Sequence, residues 1–292
     1  MITIQNEYLT LRAEEFGAQM VELCSVGGTQ FLWNADKTYW GETAPVLFPF
    51  VGRLTDGAYT VHGARYAMAT HGFAKRNAFE IEEQTAESVT FVLRDTEEIR
   101  KDYPFRFTFR VKYALQGSSV LVTYFVKNEG DEVMPFGLGG HPGFRVPLAE
   151  GTAFEDYELR FPEPSTPDRI EFSDACYLDG RALPYPLKDG VSIPLHHDLF
   201  DRDAVVLQNM PRAVSIRSDK TKRSVTVEFP GMPYIGFWHR PKTEAPYVCI
   251  EPWVSLPSRQ DIVEDFAFKA DLLRLAPGEE YTNEWKITVT DE

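Results

Sequence analysis

Phe105-Arg-Phe-Thr-Phe-Arg-Val-Lys-Tyr113 alternates apolar and polar side chains without a break. A period of two sends successive side chains to opposite faces, the signature of a β-strand with one face buried and one wet. Gly117-Ser118 interrupts the pattern, Val120-Leu-Val-Thr-Tyr-Phe-Val126 resumes it, and Asn128-Glu-Gly130 ends it. Two such runs around a short break predict a β-hairpin. Working outward, similar runs stand at 79–84, 89–94, 213–217, 224–229 and 285–290. A second, shorter hairpin is expected over 58–68, turning at His62-Gly63. Helical signal is confined to Thr96-Glu-Glu-Ile-Arg-Lys-Asp102, with Asp95 or Thr96 as its cap. Twenty prolines and twenty glycines cut the chain into short pieces, as many strands joined by loops require. Residues 162–198, rich in Pro, Asp and Gly, read as a long irregular excursion. The pattern predicts an all-β protein, a large antiparallel sandwich, as one domain over residues 1–292.

Composition narrows the function. The 292 residues are 43% apolar and 25% charged, with a formal net charge of −14 spread along the chain. That charge argues against nucleic acid or an anionic membrane as partner. Cys24, Cys176 and Cys249 are odd in number and far apart, which fits neither a disulfide framework nor a zinc site. Cys249 lies in an apolar run and reads as a buried, inert thiol. Met1-Ile-Thr-Ile-Gln-Asn-Glu lacks a basic region followed by an apolar stretch. No apolar run approaches the roughly 18 residues of a membrane span, so a cytoplasmic location is expected.

Three short segments carry unusual chemistry. Glu251, in Tyr247-Val-Cys-Ile-Glu-Pro-Trp253, is an acid at the end of an apolar strand, costly to desolvate unless paired or employed. His141, in Gly139-Gly-His-Pro-Gly-Phe144, sits in a glycine-rich bend that either presents an imidazole to a cleft or ties it to backbone. His71, in Thr70-His-Gly-Phe73, has the same two readings. Arg53 follows the apolar stretch Ala44-Pro-Val-Leu-Phe-Pro-Phe-Val-Gly52 and either caps the surface or reaches into a pocket as a fork of donors. One acid and two imidazoles in such settings suggest proton transfer in a partly apolar cleft. His196-His197-Asp198 reads as a solvated loop, since neighbours on a strand point apart. His239 is assigned to structure and His62 to a turn. No GxGxxG, P-loop, GxSxG or HExxH motif is present.

The series Pro45-Val-Leu-Phe-Pro-Phe-Val-Gly-Arg-Leu54, His71-Gly-Phe-Ala74, Gly139-Gly-His-Pro-Gly-Phe144 and Cys249-Ile-Glu-Pro-Trp253 resembles the aldose 1-epimerase (galactose mutarotase) family, closest to its LacX-like branch. The resemblance extends to the Leu275-Ala-Pro-Gly-Glu279 turn before the last strand. It implies a galactose mutarotase-like β-supersandwich that needs neither metal nor organic cofactor. It further implies Glu251 as general base on the anomeric hydroxyl and His141 as general acid on the ring oxygen. Arg53 and His71 would hold the sugar, as would Asp203 in Asp203-Ala-Val-Val-Leu207, while Trp253 would line its apolar face. The implied partner is a small aldose, and the chain a monomer or homodimer. Gly52-Arg53 stands where well-studied galactose mutarotases carry Asn-Arg, and the segment around His141 also differs, so galactose itself is not implied. Two alternatives stand beside a free-hexose mutarotase: a phosphosugar mutarotase using Arg53, Lys75-Arg76 or Arg240, and a non-catalytic sugar-binding module.

Overall fold

In a computed structural model, the alternating run over 105–113 becomes part of strand Phe107–Gln116, hairpinned to Ser119–Asn128. The structure describes residues 1–291; residue 292, the last of the span expected as one domain, lies outside it. Along the first strand the apolar set Phe107, Phe109, Val111 and Tyr113 is fully buried while Arg110 and Lys112 are partly exposed. Ser119–Asn128 pairs on its other side with Glu280–Thr290. Among the described residues these three strands form the middle of a nine-stranded antiparallel sheet.

A second, eight-stranded sheet includes Val205–Gln208, Tyr234–Trp238, Tyr247–Trp253 and the short pieces Gly139–Gly140 and Val46–Leu47. The two sheets share one large apolar core. Phe48 lies within it, stacked on Phe109 at 4.4 Å between ring centres and in contact with Phe107 and Phe136. Burying each such ring contributes about 1.5–3 kcal/mol. Inward residues of the second sheet, Ile250 and Phe144, belong to the same core, so the opposite face of that sheet is left for a site. The fold class is therefore as predicted, a β-sandwich with little helix. The hairpin Ala58–Val61 with Ala64–Ala67 and the α-helix Glu97–Asp102 also follow expectation, Thr96 Oγ1 accepting from the Ile99 N–H at 3.2 Å as the cap.

One expectation fails. Residues 162–198 are not irregular: Asp168–Phe172 and Leu178–Pro184 form a hairpin at one edge of the eight-stranded sheet, and Ser192–Pro194 joins an edge of the nine-stranded one. Edge strands tolerate Pro and Gly and stay half-wet, so their sequences lack a clean alternation. Among the described residues no helix is long and apolar enough to cross a membrane.

Candidate active site

Strand register builds the site. Gly139 pairs with Trp253 and Gly143 with Cys249, which sets His141 directly across from Glu251. The bend at 141–142 stays anchored there, because the Ile250 N–H donates to the Pro142 carbonyl and the His141 N–H to the Pro45 carbonyl, both at 3.1 Å. Glu251 and Trp253, two apart on one strand, share the outward face with Trp238 of the neighbouring strand, whose Gly236 pairs with Glu251. These side chains and Val206 floor a cleft of ≈ 790 Å³, counting its open mouth.

The two chemical groups meet at this floor. His141 Nε2 lies 3.2 Å from Glu251 Oε2, and both side chains are almost wholly buried. Burial raises the Glu251 carboxyl well above the usual carboxylate range, and the Asp203 charge adds to this. The Trp253 indole N–H, which makes no full hydrogen bond, and the Lys75 ammonium pull the other way. Burial, with Lys75 adding, lowers His141 to about 3. Both shifts favour the uncharged forms, so a proton shared by the pair rests on Glu251 rather than on His141. The imidazole is stacked on Trp40 at 4.9 Å and touched edge-on by Trp238 at 5.6 Å, which fixes its plane.

The walls come from distant loops. His71 takes a backbone φ of 65°, and its Nδ1 accepts from the Gly52 N–H at 3.1 Å. Burial, followed by the charge of His141, keeps this ring's pKa well below the ordinary imidazole value. It is therefore neutral, with its Nε2–H free to donate. The approach is close enough to demand glycines: a Cβ on Gly52 would lie 2.3 Å from Pro257 Cγ, and one on Gly72 would lie 2.2 Å from the Phe48 carbonyl oxygen. Asp203 and Cys176 also sit at positive φ, 78° and 63°, and the thiol donates to Asp203 Oδ2 at 2.7 Å. Strain of this kind is maintained where surrounding structure over-determines a site. Arg53 lies exposed at the rim with its Nη1 donating to the Ala175 carbonyl at 3.2 Å. Lys75 bonds Glu42 at 2.7 Å, tying the loop that carries Trp40 to the segment that carries His71.

Comparison with known proteins gives the family. The family model for aldose 1-epimerase matches residues 1–288. The chain belongs to the aldose 1-epimerase family. Chromosomal protein LacX of Lactococcus lactis subsp. lactis is 31% identical, with 99% of each chain covered. A galactose mutarotase related enzyme from Lactobacillus acidophilus superposes with a TM-score of 0.94 at 38% identity, covering 99% of this chain and 97% of that one. A galactose mutarotase-like protein from Lactobacillus casei ATCC 334 gives 0.94 at 30% identity, covering 99% of this chain and 100% of that one. A galactose 1-epimerase from Lactobacillus acidophilus NCFM, 14% identical with a TM-score of 0.71, shares the fold. Membership in the aldose 1-epimerase family supports a general epimerase or mutarotase role, an isomerase of carbohydrate metabolism.

All six site residues expected from the sequence, Glu251, His141, Arg53, His71, Asp203 and Trp253, line this one cleft of the epimerase-family chain. Sequence reasoning missed Trp40, Glu42 and Cys176, which come from loops without periodic pattern, and it noted Lys75 only as a phosphate ligand. Elsewhere, Cys249 is a fully buried free thiol, as expected. His239 is structural too, its Nδ1–H donating to the Arg240 carbonyl at 2.8 Å. His197 corrects the reading of a solvated loop: it stacks on Phe154 at 4.1 Å and bonds His239 Nε2 at 3.2 Å, because the short helical turn His197–Phe200 folds it inward.

Proposed function

We propose that the chain is a mutarotase for a neutral free hexose, with Glu251 and His141 exchanging protons with the sugar. The observation that carries this is the 3.2 Å contact between a buried carboxyl and a buried imidazole at the floor of a sugar-sized cleft. Ring opening removes a proton from O1 and supplies one to O5, neighbouring oxygens on one carbon. Moving the shared proton across the contact gives carboxylate and imidazolium with no change in total charge. In that form Glu251 takes the O1 proton, His141 protonates O5, and the C1–O5 bond breaks to the open aldehyde. Rotation about C1–C2 and reclosure with both transfers reversed yields the other anomer. His71, through Nε2–H, and Arg53 would donate to sugar hydroxyls, while the Asp203 carboxylate would accept. Trp253 would cover the apolar C–H face.

The phosphosugar alternative fits the charges less well. Lys75 is already bonded to Glu42, and Arg53 is tied to the Ala175 carbonyl. Arg76 and Arg240 are exposed and lie outside the cleft lining. No free cluster of cations therefore converges on a phosphate. Anomer exchange of α-glucose, α-galactose and glucose 6-phosphate, followed by polarimetry or NMR, tests the proposal. Acceleration of a free hexose, abolished by His141→Asn, is expected. Preferential turnover of the phosphate ester, or sugar binding without acceleration, would replace it with one of the alternatives.

A further inference from the structure

Cys249 stands next to the His141–Glu251 pair, one pleat along the same strand face as Glu251. One ligand atom from each of His141, Cys249 and Glu251 falls within 4.8 Å of the other two. Bond lengths of about 2.3 Å to sulfur and 2.0–2.2 Å to nitrogen or oxygen place tetrahedral zinc ligands roughly 3.4–3.6 Å apart. The His141–Glu251 edge measures 3.2 Å, so the main adjustment is for the thiol to close in, by roughly 1.2 Å at most. A mixed sulfur, nitrogen and oxygen set selects zinc and similar thiophilic ions over magnesium or calcium. His141 Nδ1 has no hydrogen-bond partner, so no bond at that nitrogen is lost when the imidazole takes up an ion. A thiolate and a carboxylate neutralise a divalent charge, which lowers the cost of holding the ion in a buried place.

Resting on the reading of the pair given above, we propose that His141, Cys249 and Glu251 bind a thiophilic divalent cation, zinc in the first instance, and that the bound ion inhibits the enzyme. Binding releases the thiol and carboxyl protons to solvent. The ion occupies the atoms that exchange protons with the sugar, so inhibition follows directly. With no partner on the second imidazole nitrogen, the site holds its ion less firmly than a resident metal centre does.

The test uses chelator-treated full-length protein. Co²⁺ is added while the near-ultraviolet thiolate-to-cobalt absorption is followed, and Zn²⁺ is titrated into the anomer-exchange assay. The intact protein should develop the band, and Zn²⁺ should suppress its exchange rate. Cys249→Ala should lose the band and require at least about tenfold more Zn²⁺ for the same fractional loss of its own metal-free rate. Cys176→Ala should keep the band, and His196→Ala, at the exposed His196–Asp198 pair, should keep both responses. Equal Zn²⁺ sensitivity in Cys249→Ala, or a band that survives in it, would overturn the proposal. Absence of band and inhibition in the intact protein would do the same. If no sugar is turned over, the band and its loss in Cys249→Ala and His141→Asn still decide the site.

Discussion

Replacing Glu251 by Gln keeps the volume and planarity of a side chain that is only 1% exposed, so no cavity opens. What changes is the proton. Losing one partner of a general acid–base pair costs about 10²–10⁴ in rate, or roughly 3–5 kcal/mol of barrier. The same substitution should make the protein more stable, and the sign follows from linkage. Burial raises the Glu251 pKa above 4.5, so the native chain keeps a proton that the unfolded chain has released. The stability this group contributes is present in full below its unfolded value and is lost as pH rises through its folded value. Gln has nothing to lose, so its advantage grows with pH across that window by up to about 1.4 kcal/mol per unit. His141, lowered to about 3 from 6.5, contributes the reverse slope on the acid side in both proteins. Urea unfolding of the two proteins between acid and mildly alkaline pH, beside polarimetry on α-hexoses, reads both quantities. A Gln variant with unchanged exchange rate, or a stability difference flat in pH, would refute the assignment of a buried, proton-holding acid.

Two further outcomes are expected. Burial raises the Glu251 pKa and lowers that of His141 to about 3, so the imidazole titrates well below neutrality. The enzyme-dependent kcat/KM should therefore show no inflection near the ordinary imidazole value of 6.5, and a clear one there would contradict the shared-proton picture. Gly72→Ala, with φ at 74° and its new Cβ 2.2 Å from the Phe48 carbonyl oxygen, should cost more than about 4 kcal/mol in denaturant melts. Gly117→Ala, at φ 56° with nothing within 4 Å, should cost only about 1 kcal/mol; similar losses at both sites would show that backbone conformation alone sets the penalty.

The middle of the nine-stranded sheet was legible because Phe107–Gln116 buries one face and wets the other, which is what alternation encodes. The hairpin of Asp168–Phe172 with Leu178–Pro184 was not, since seven of its residues from 178 onward are partly or fully exposed and leave no apolar face to count. Glu251 and His141 stood out individually as polar groups in apolar or glycine-rich settings. Their being opposite each other did not, because pairing across 110 residues is fixed by contacts that no local window contains. Trp40 and Lys75 act through one ring stack and one ion pair on loops, where neither period nor composition marks a side chain.

The spacing of Glu251 and His141, and the seat of Trp253, are held by main-chain ladder bonds, whereas Arg53, His71 and Asp203 ride on connecting segments. On the proposed reading, changes in those segments would alter sugar preference and leave the Glu251–His141 pair in place. A swap of such segments between two family members should transfer preference without rebuilding the chemistry beneath.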